Sequence, residues 1–154
     1  MTTLPTPLSN AIASGSVDHA LGATIAHFGC QAGTVHFLRN GVLKLAASSG
    51  IPPHIAEIVS TVPIGKGIAG LAAERKEPIT ICNLQTDTSG QARPAAKTTG
   101  MEGSLAVPML TADGTLHGVL GIAKATAYDW PEDETKLVLA VASEFSHLAE
   151  VEPV

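Results

Sequence analysis

Gly65, Gly67 and Gly70 give a G-x-G-x-x-G spacing between an extended stretch and a helix-like one. That spacing belongs to phosphate cradles, in which glycines let backbone amides approach a pyrophosphate at a helix N-terminus. A dinucleotide site also needs a helix that packs on the sheet, a second parallel strand, and an acid near the end of that strand for the ribose. Here the helix from Ile68 to Lys76 is only about 13 Å long at 1.5 Å per residue. Pro78 starts the next strand at once, and Asn83 stands where the acid belongs. A P-loop is excluded as well, because Lys66 is followed by Gly67 rather than by Ser or Thr. The glycines are expected to permit a tight turn and close helix packing, with no nucleotide chemistry.

The other candidates for chemistry are the cysteines and histidines. Cys30 and Cys82 are the two cysteines of the chain, and both read as small core hydrophobes in or beside strands. Among six histidines, His19 and His147 fall on polar helix faces, His27 lies at a flank, and His54 follows two prolines. His117 stands on the strand before Gly118, Val119 and Leu120, where a side chain can face a pocket. No histidine pair has convincing metal-ligand spacing. One axial histidine suffices for haem, so that group stays formally open and the cofactor is unassigned.

The elements that must position these residues belong to one domain, since 154 residues make about one domain with a real core. Residues 1–15 are expected to be a flexible segment with a frayed end or a short helical turn over Leu8 to Ala13, and 16–150 to form the core. Ser16 reads as an N-cap, followed by Val17, Ala20, Leu21, Ile25 and Phe28 at helical spacing. A strand over 34–38, the Asn40-Gly41 turn and a strand over 42–47 form a hairpin. A short helix over 54–60, the glycine loop with its helix, and a strand over 78–82 come next. Residues 84–103 are mostly polar and too long for a structureless loop, so they read as a partly helical lid or binding loop. A second hairpin turns at Asp113-Gly114, and Pro131 with Glu132, Asp133 and Glu134 opens the last helix. Tight hairpins make their strands antiparallel neighbours, and the fold class is α+β.

Charge excludes further classes. The formal net charge is -5, and the nine Lys and Arg residues never form a run, so the basic patch that nucleic acid demands is missing. No apolar run approaches the roughly 20 residues of a membrane helix. The first Lys or Arg is Arg39, which is unlike the basic start of a signal peptide. Two cysteines suit a reducing compartment, and a cytoplasmic location is expected.

Taken in order, the glycine turn, Pro78-Ile79-x-Ile81, Ser104-x-x-x-Pro108-Met109, Gly118-Val119-Leu120 and the acid-capped last helix resemble a GAF domain over roughly Ala20 to Ala149. The resemblance implies a central, mainly antiparallel sheet of five or six strands. Terminal helices would cover one face, and short helices and loops would form a pocket on the other. It also implies a sensory or regulatory module that commonly dimerises. Some GAF domains are free methionine-R-sulfoxide reductases, whose cysteines lie in and after the glycine loop and in the lid. Here the loop position is Ala69 and residues 84–103 contain no cysteine, and a methyl group cannot replace a thiol nucleophile. Bilin-binding relatives use a cysteine beside a histidine, a pair this chain lacks. Cyclic-nucleotide GAF domains are similar at Ile68, Ala69 and Gln85. Ala47 and Ser48 depart from them where an aromatic and an acid would hold the purine, and Ala123-Lys124 replaces their Asn-Lys pair.

A non-enzymatic, ligand-binding module is therefore expected, its pocket bordered by Ala47, Ser48, Ile68, Ala69 and His117 and by Gln85, Arg93, Lys97 and Met101 of the lid. The alternative is a ligand-free structural dimerisation module. Leu137, Val138, Val141, Ala142, Phe145, Leu148 and Ala149 make a stripe wider than a sheet-covering helix requires. With Val17, Leu21 and Ile25 it is expected to form a homodimer through the terminal helices. Any signal would pass to a separate partner.

Overall fold

The computed structural model describes residues 4–89, 91 and 99–151. In chain order the elements are α1 (Thr6–Ala13), α2 (Val17–His27), β1 (Ala32–Arg39), β2 (Val42–Ser49), α3 (Pro53–Ile58) and β3 (Thr61–Pro63). They continue with α4 (Gly67–Arg75), β4 (Ile79–Ile81), β5 (Gly103–Leu110), β6 (Leu116–Lys124) and α5 (Glu132–Val151). The six strands form one sheet in the order β3-β2-β1-β6-β5-β4, and every neighbouring pair is antiparallel. This is the α+β architecture expected from the sequence, with β3 added as a short edge strand.

Local chemistry explains the boundaries. Ser16 Oγ accepts a hydrogen bond from the His19 amide at 3.2 Å, which satisfies one of the orphan donors at the start of α2. Asn40 and Gly41 both take positive φ, 53° and 81°, the backbone twist that a two-residue hairpin loop requires. In the β5–β6 turn, Asp113 Oδ1 accepts from Thr111 Oγ1 at 2.6 Å and from the Thr115 amide at 3.1 Å. These bonds, the Thr111 hydroxyl first, hold the carboxyl down to about 2.

On one face of the sheet lie α1, α2 and α5, with Leu8, Leu21, Val35, Phe37, Val107, Met109, Leu120 and Phe145 in a shared core. The N-terminal segment expected to be flexible is instead helical over Thr6–Ala13, with Leu8, Ala11 and Ile12 buried. Their i, i+3, i+4 spacing gives the short helix one apolar edge, and docking that edge compensates for its brevity. On the opposite face α4 covers Leu43, Val62, Ala106 and Val119 with Ala72 and Ala73. Among the described residues, no helix is long and apolar enough to cross a membrane.

The stripe on α5 is used within the fold. Val138, Val141, Ala142 and Phe145 are fully buried, and Leu148 and Ala149 nearly so. Docked α1 accounts for the apolar width that exceeded the needs of the sheet.

Candidate functional site

The strands flanking the glycine loop lie at opposite edges of the sheet. Five interstrand spacings of about 4.8 Å separate β3 from β4, so residues 64–78 must cross the sheet face. A βαβ crossover would instead return to a parallel neighbour. Within the turn the Gly65 amide donates to the Gly70 carbonyl at 2.8 Å, the Lys66 amide to Pro63 at 3.2 Å, and the Gly70 amide to Lys66 at 3.1 Å. Those donors are engaged with the loop's own carbonyls and are not directed at a ligand. Gly65 and Gly67 take φ of 89° and 69°, which glycine tolerates without a Cβ penalty.

Beneath α4 and α3 is a cleft with two lobes of about 140 and about 150 Å3. They share Thr34, Ile51, Ile68, Ala69 and Thr99. The first lobe extends to Leu84, Met101, Ser104 and Ala106, and the second to His36, Ile55, Val59, Val62 and Lys66. Each is near the size at which an apolar cavity holds a benzene-sized guest, and below the range of drug-sized sites. A porphyrin does not fit either lobe.

Of the residues expected to border the pocket, Ile68 and Ala69 line both lobes and Met101 lines the first. Gln85 is exposed and ties the lid together, its Nε2 donating to the Met101 carbonyl at 2.8 Å and its amide to Asn83 Oδ1 at 2.9 Å. Arg93 and Lys97 lie outside the described residues. Ser48 is an exposed β2 residue opposite Thr34, outside both linings.

Ala47 and His117 are misplaced by the same physical cause. The β1–β2 register slips between Val35 and His36, so that Val35 pairs with Ala47 and His36 with Leu45 while Ala46 is passed over. One extra residue reverses the faces of a strand, and Ala47 turns into the helix-side core while Leu43 stays under α4. A second slip in β5–β6 passes over His117, with Met109 opposite Gly118 and Leu110 opposite Leu116. His117 Nε2 lies 3.3 Å from Thr111 Oγ1 at the hairpin end, outside the linings of both lobes.

Two further polar groups have structural partners. Lys124 Nζ donates to the Phe28 carbonyl at 2.6 Å and lies 4.5 Å from the Tyr128 ring centre. Cys30 is buried in the helix-side core, and burial pushes its thiol up to about 11. Cys82 is exposed, and its hydrogen bond with Asp129 raises its thiol as well. Neither cysteine lines a lobe.

The histidine that reaches the cleft is His36, which the sequence reading passed over. It is 2% exposed, lines the second lobe, and has Nε2 2.8 Å from the Val59 carbonyl oxygen. Alternation along β1 was the available signal, since Thr34 and His36 must face away from Val35 and Phe37. Burial lowers its pKa below 6.5, against a smaller opposing effect of the Val59 bond. Lys66 is the charged residue among the described lining of that lobe.

A pH dependence follows. The unfolded chain takes up a proton near pH 6.5 while folded His36 does not, so the unfolded state is favoured as pH falls. Stability is complete above about pH 6.5 and declines below it by up to about 1.4 kcal/mol per pH unit, until the lowered folded value is reached. Urea unfolding between about pH 5 and pH 7 should show this slope in the wild type and its loss in His36→Phe. Equal slopes in the two proteins would refute the assignment.

No curated protein matches the chain. Among solved structures it is similar to the GAF domain of an Acinetobacter phosphoenolpyruvate-protein phosphotransferase, with 19% identity, TM-score 0.75, and coverage of 95% of this chain and 90% of that one. It is similar to free methionine-R-sulfoxide reductase from Neisseria meningitidis in complex with its substrate, at 15% identity, TM-score 0.74 and coverage of 96% and 86%. A putative GAF sensor protein from Burkholderia vietnamiensis aligns at 18% identity, TM-score 0.70 and coverage of 96% and 93%. At such identities these neighbours share the fold with this chain, and they include both sensors and an enzyme. A sequence profile of the GAF domain matches residues 16–148; with the antiparallel sheet, the crossing glycine turn and the cleft beneath α4, this makes the chain a member of the GAF domain family.

Proposed function

We propose that this chain is a non-catalytic sensory or regulatory module that binds a small organic molecule in the cleft between the sheet and α4. The observation that carries the reading is the cleft itself, walled mainly by Ile51, Ile55, Val59, Val62 and Ile68 with a few polar groups among them. Apolar walls with sparse polar anchors are the usual composition of a small-molecule site. Against the reductase alternative stand Ala69 in the loop and the raised pKa of both thiols, neither of which is among the described lining residues. Thiol chemistry needs an accessible thiolate at the site.

The modest volume of the lobes favours one rival, a ligand-free module with a collapsed pocket. A thermal-shift screen of small organic molecules, paired with native mass spectrometry of the untreated protein, separates the two. The proposal expects at least one compound to raise the melting temperature of the wild type and to lose that effect in Ala69→Phe, which fills both lobes. No shift across the screen and an unliganded native mass would favour the rival, while turnover of free methionine sulfoxide would restore the enzymatic reading. The proposal places the module in the cytoplasm, with a separate partner to receive its signal; two free cysteines agree with a reducing compartment. The homodimer stays in the proposal, with the half-buried Leu137, Leu139 and Ile25 as its contact, because the main stripe is occupied inside the fold.

A further inference from the structure

The floor of the first lobe is a patch of sheet three strands wide and two rows deep. Thr34, Gly121 and Ala106 stand opposite one another in one row, and Ala32, Ala123 and Ser104 in the next. All six line the lobe. Their chain neighbours Val35, Leu105 and Ile122 are buried in the helix-side core, so alternation turns these six positions toward the cleft. Hydroxyls therefore occupy two diagonal corners, and nothing larger than a methyl occupies the other four positions. A Cβ at Gly121 would lie 3.0 Å from Thr34 Oγ1, which puts that hydroxyl above Gly121 on the lobe side. Neither hydroxyl has a hydrogen-bond partner among the described residues. Nor is either sealed from water: the closed and unpartnered side-chain atoms belong to His36, Trp130 and Ser146.

We propose that the first lobe seats the ligand, and that the ligand is a flat, neutral six-membered ring with a hydrogen-bonding group at each end, one for Thr34 and one for Ser104. This deepens the small-molecule reading above and rests on it. Two interstrand spacings of about 4.8 Å and one two-residue step of about 6.8 Å set the corners about 12 Å apart. A hydrogen bond of about 2.8 Å at each end leaves about 6 Å for the ligand, which matches polar atoms at opposite positions of a ring. A hydroxyl both donates and accepts, so either corner takes an O–H or a C=O. Between them Gly121 and Ala123 give a ring face a level surface, with Ile51, Ile68 and Ala69 also in the lining. The described lining holds no charged side chain, so an ionised ligand would be desolvated there without a counter-charge. Gly121 is the position that keeps the floor open.

Phenol, hydroquinone and catechol carry one hydroxyl, two opposed hydroxyls and two adjacent ones on the same ring, so they are the probes, kept reduced under argon. Affinities are measured by NMR titration. In the wild type, hydroquinone should bind about three- to tenfold tighter than phenol or catechol, the worth of one further hydrogen bond. Thr34→Val and Ser104→Ala should each remove that advantage while phenol still binds. Gly121→Val, whose β-branched side chain suits a strand and rises into the lobe, should abolish binding of all three and keep a cooperative melting curve. Equal wild-type affinities for hydroquinone and catechol, a result that needs no variant to fold, overturn the two-hydroxyl seat. An advantage that survives either hydroxyl substitution does the same. Binding that persists in Gly121→Val overturns the first-lobe assignment, and its loss in Ala69→Phe would then leave the cleft reading standing. Binding of none of the three probes removes the cleft reading itself, and this proposal with it.

Discussion

Phe145→Ala is expected to destabilise the fold by about 3–5 kcal/mol, the cost of removing a large aromatic from a packed core. Phe145 is fully buried on α5, in the cluster that joins the helices to Val107, Met109 and Leu120 of the sheet. The change removes apolar area and leaves a cavity that the rigid sheet cannot close. In a chain of this length the melting temperature should fall by about 6–20 °C, a large share of a total stability of about 5–15 kcal/mol. Differential scanning calorimetry and urea unfolding measure it. The opposite result is equally informative: an unchanged melting temperature with a smaller mass in sedimentation would make Phe145 an interface residue. That would contradict the burial of the stripe within one chain.

Gly70→Ala should cost about 1–3 kcal/mol, the usual penalty of overpacking, and lower the melting temperature by about 2–12 °C. A Cβ at Gly70 would lie 2.6 Å from the Pro63 carbonyl oxygen and 3.1 Å from the Gly65 nitrogen. Both are backbone atoms, held by the turn's own hydrogen bonds, so no side chain can move aside. Either α4 lifts from β3 or the turn opens. The variant also discriminates between the two meanings of the glycine spacing. Where the glycines shape the backbone, alanine lowers stability without a nucleotide being involved. A variant of full stability that had lost affinity for a dinucleotide would reverse that conclusion.

Together these variants probe the two faces of one sheet. The helix face is a closed core, and each large side chain there has a stability role. The other face is only partly filled, because the segment 64–78 that carries α4 crosses it from edge to edge and the helix's small residues, Ala69, Gly70, Ala72 and Ala73, approach without closing every gap. Under the proposed reading, that difference in filling, more than any reactive group, is what offers a ligand a place. The same proposal is read in melting curves and ligand-dependent spectra, and its enzymatic rival in turnover.

How much of this was legible beforehand depends on the range of the interaction concerned. Asn40-Gly41, Ser16 and the acids of Glu132, Asp133 and Glu134 act within a few residues of themselves, and those local preferences do not depend on the rest of the chain. The ordered motifs that resemble the GAF family were likewise present as linear text and carried Ile68 and Ala69 to the cleft, while the length and polarity of the lid segment pointed to Met101. Ala47 and His117 went astray because a bulge shifts a strand by one residue and exchanges its faces. Such a slip arises from pairing with a distant strand and leaves little local trace. Alternation along β1 was enough to put His36 on the face opposite Val35 and Phe37, though the reading passed it over; only the packing of α3 and α4 above β1 decided that this face held the cleft and that Val59 would take one ring nitrogen and leave the other without a partner among the described residues. Short-range chemistry therefore determined the elements and the family from sequence, while strand register and the path of α4 across the sheet, both long-range, decided which side chains meet in the site.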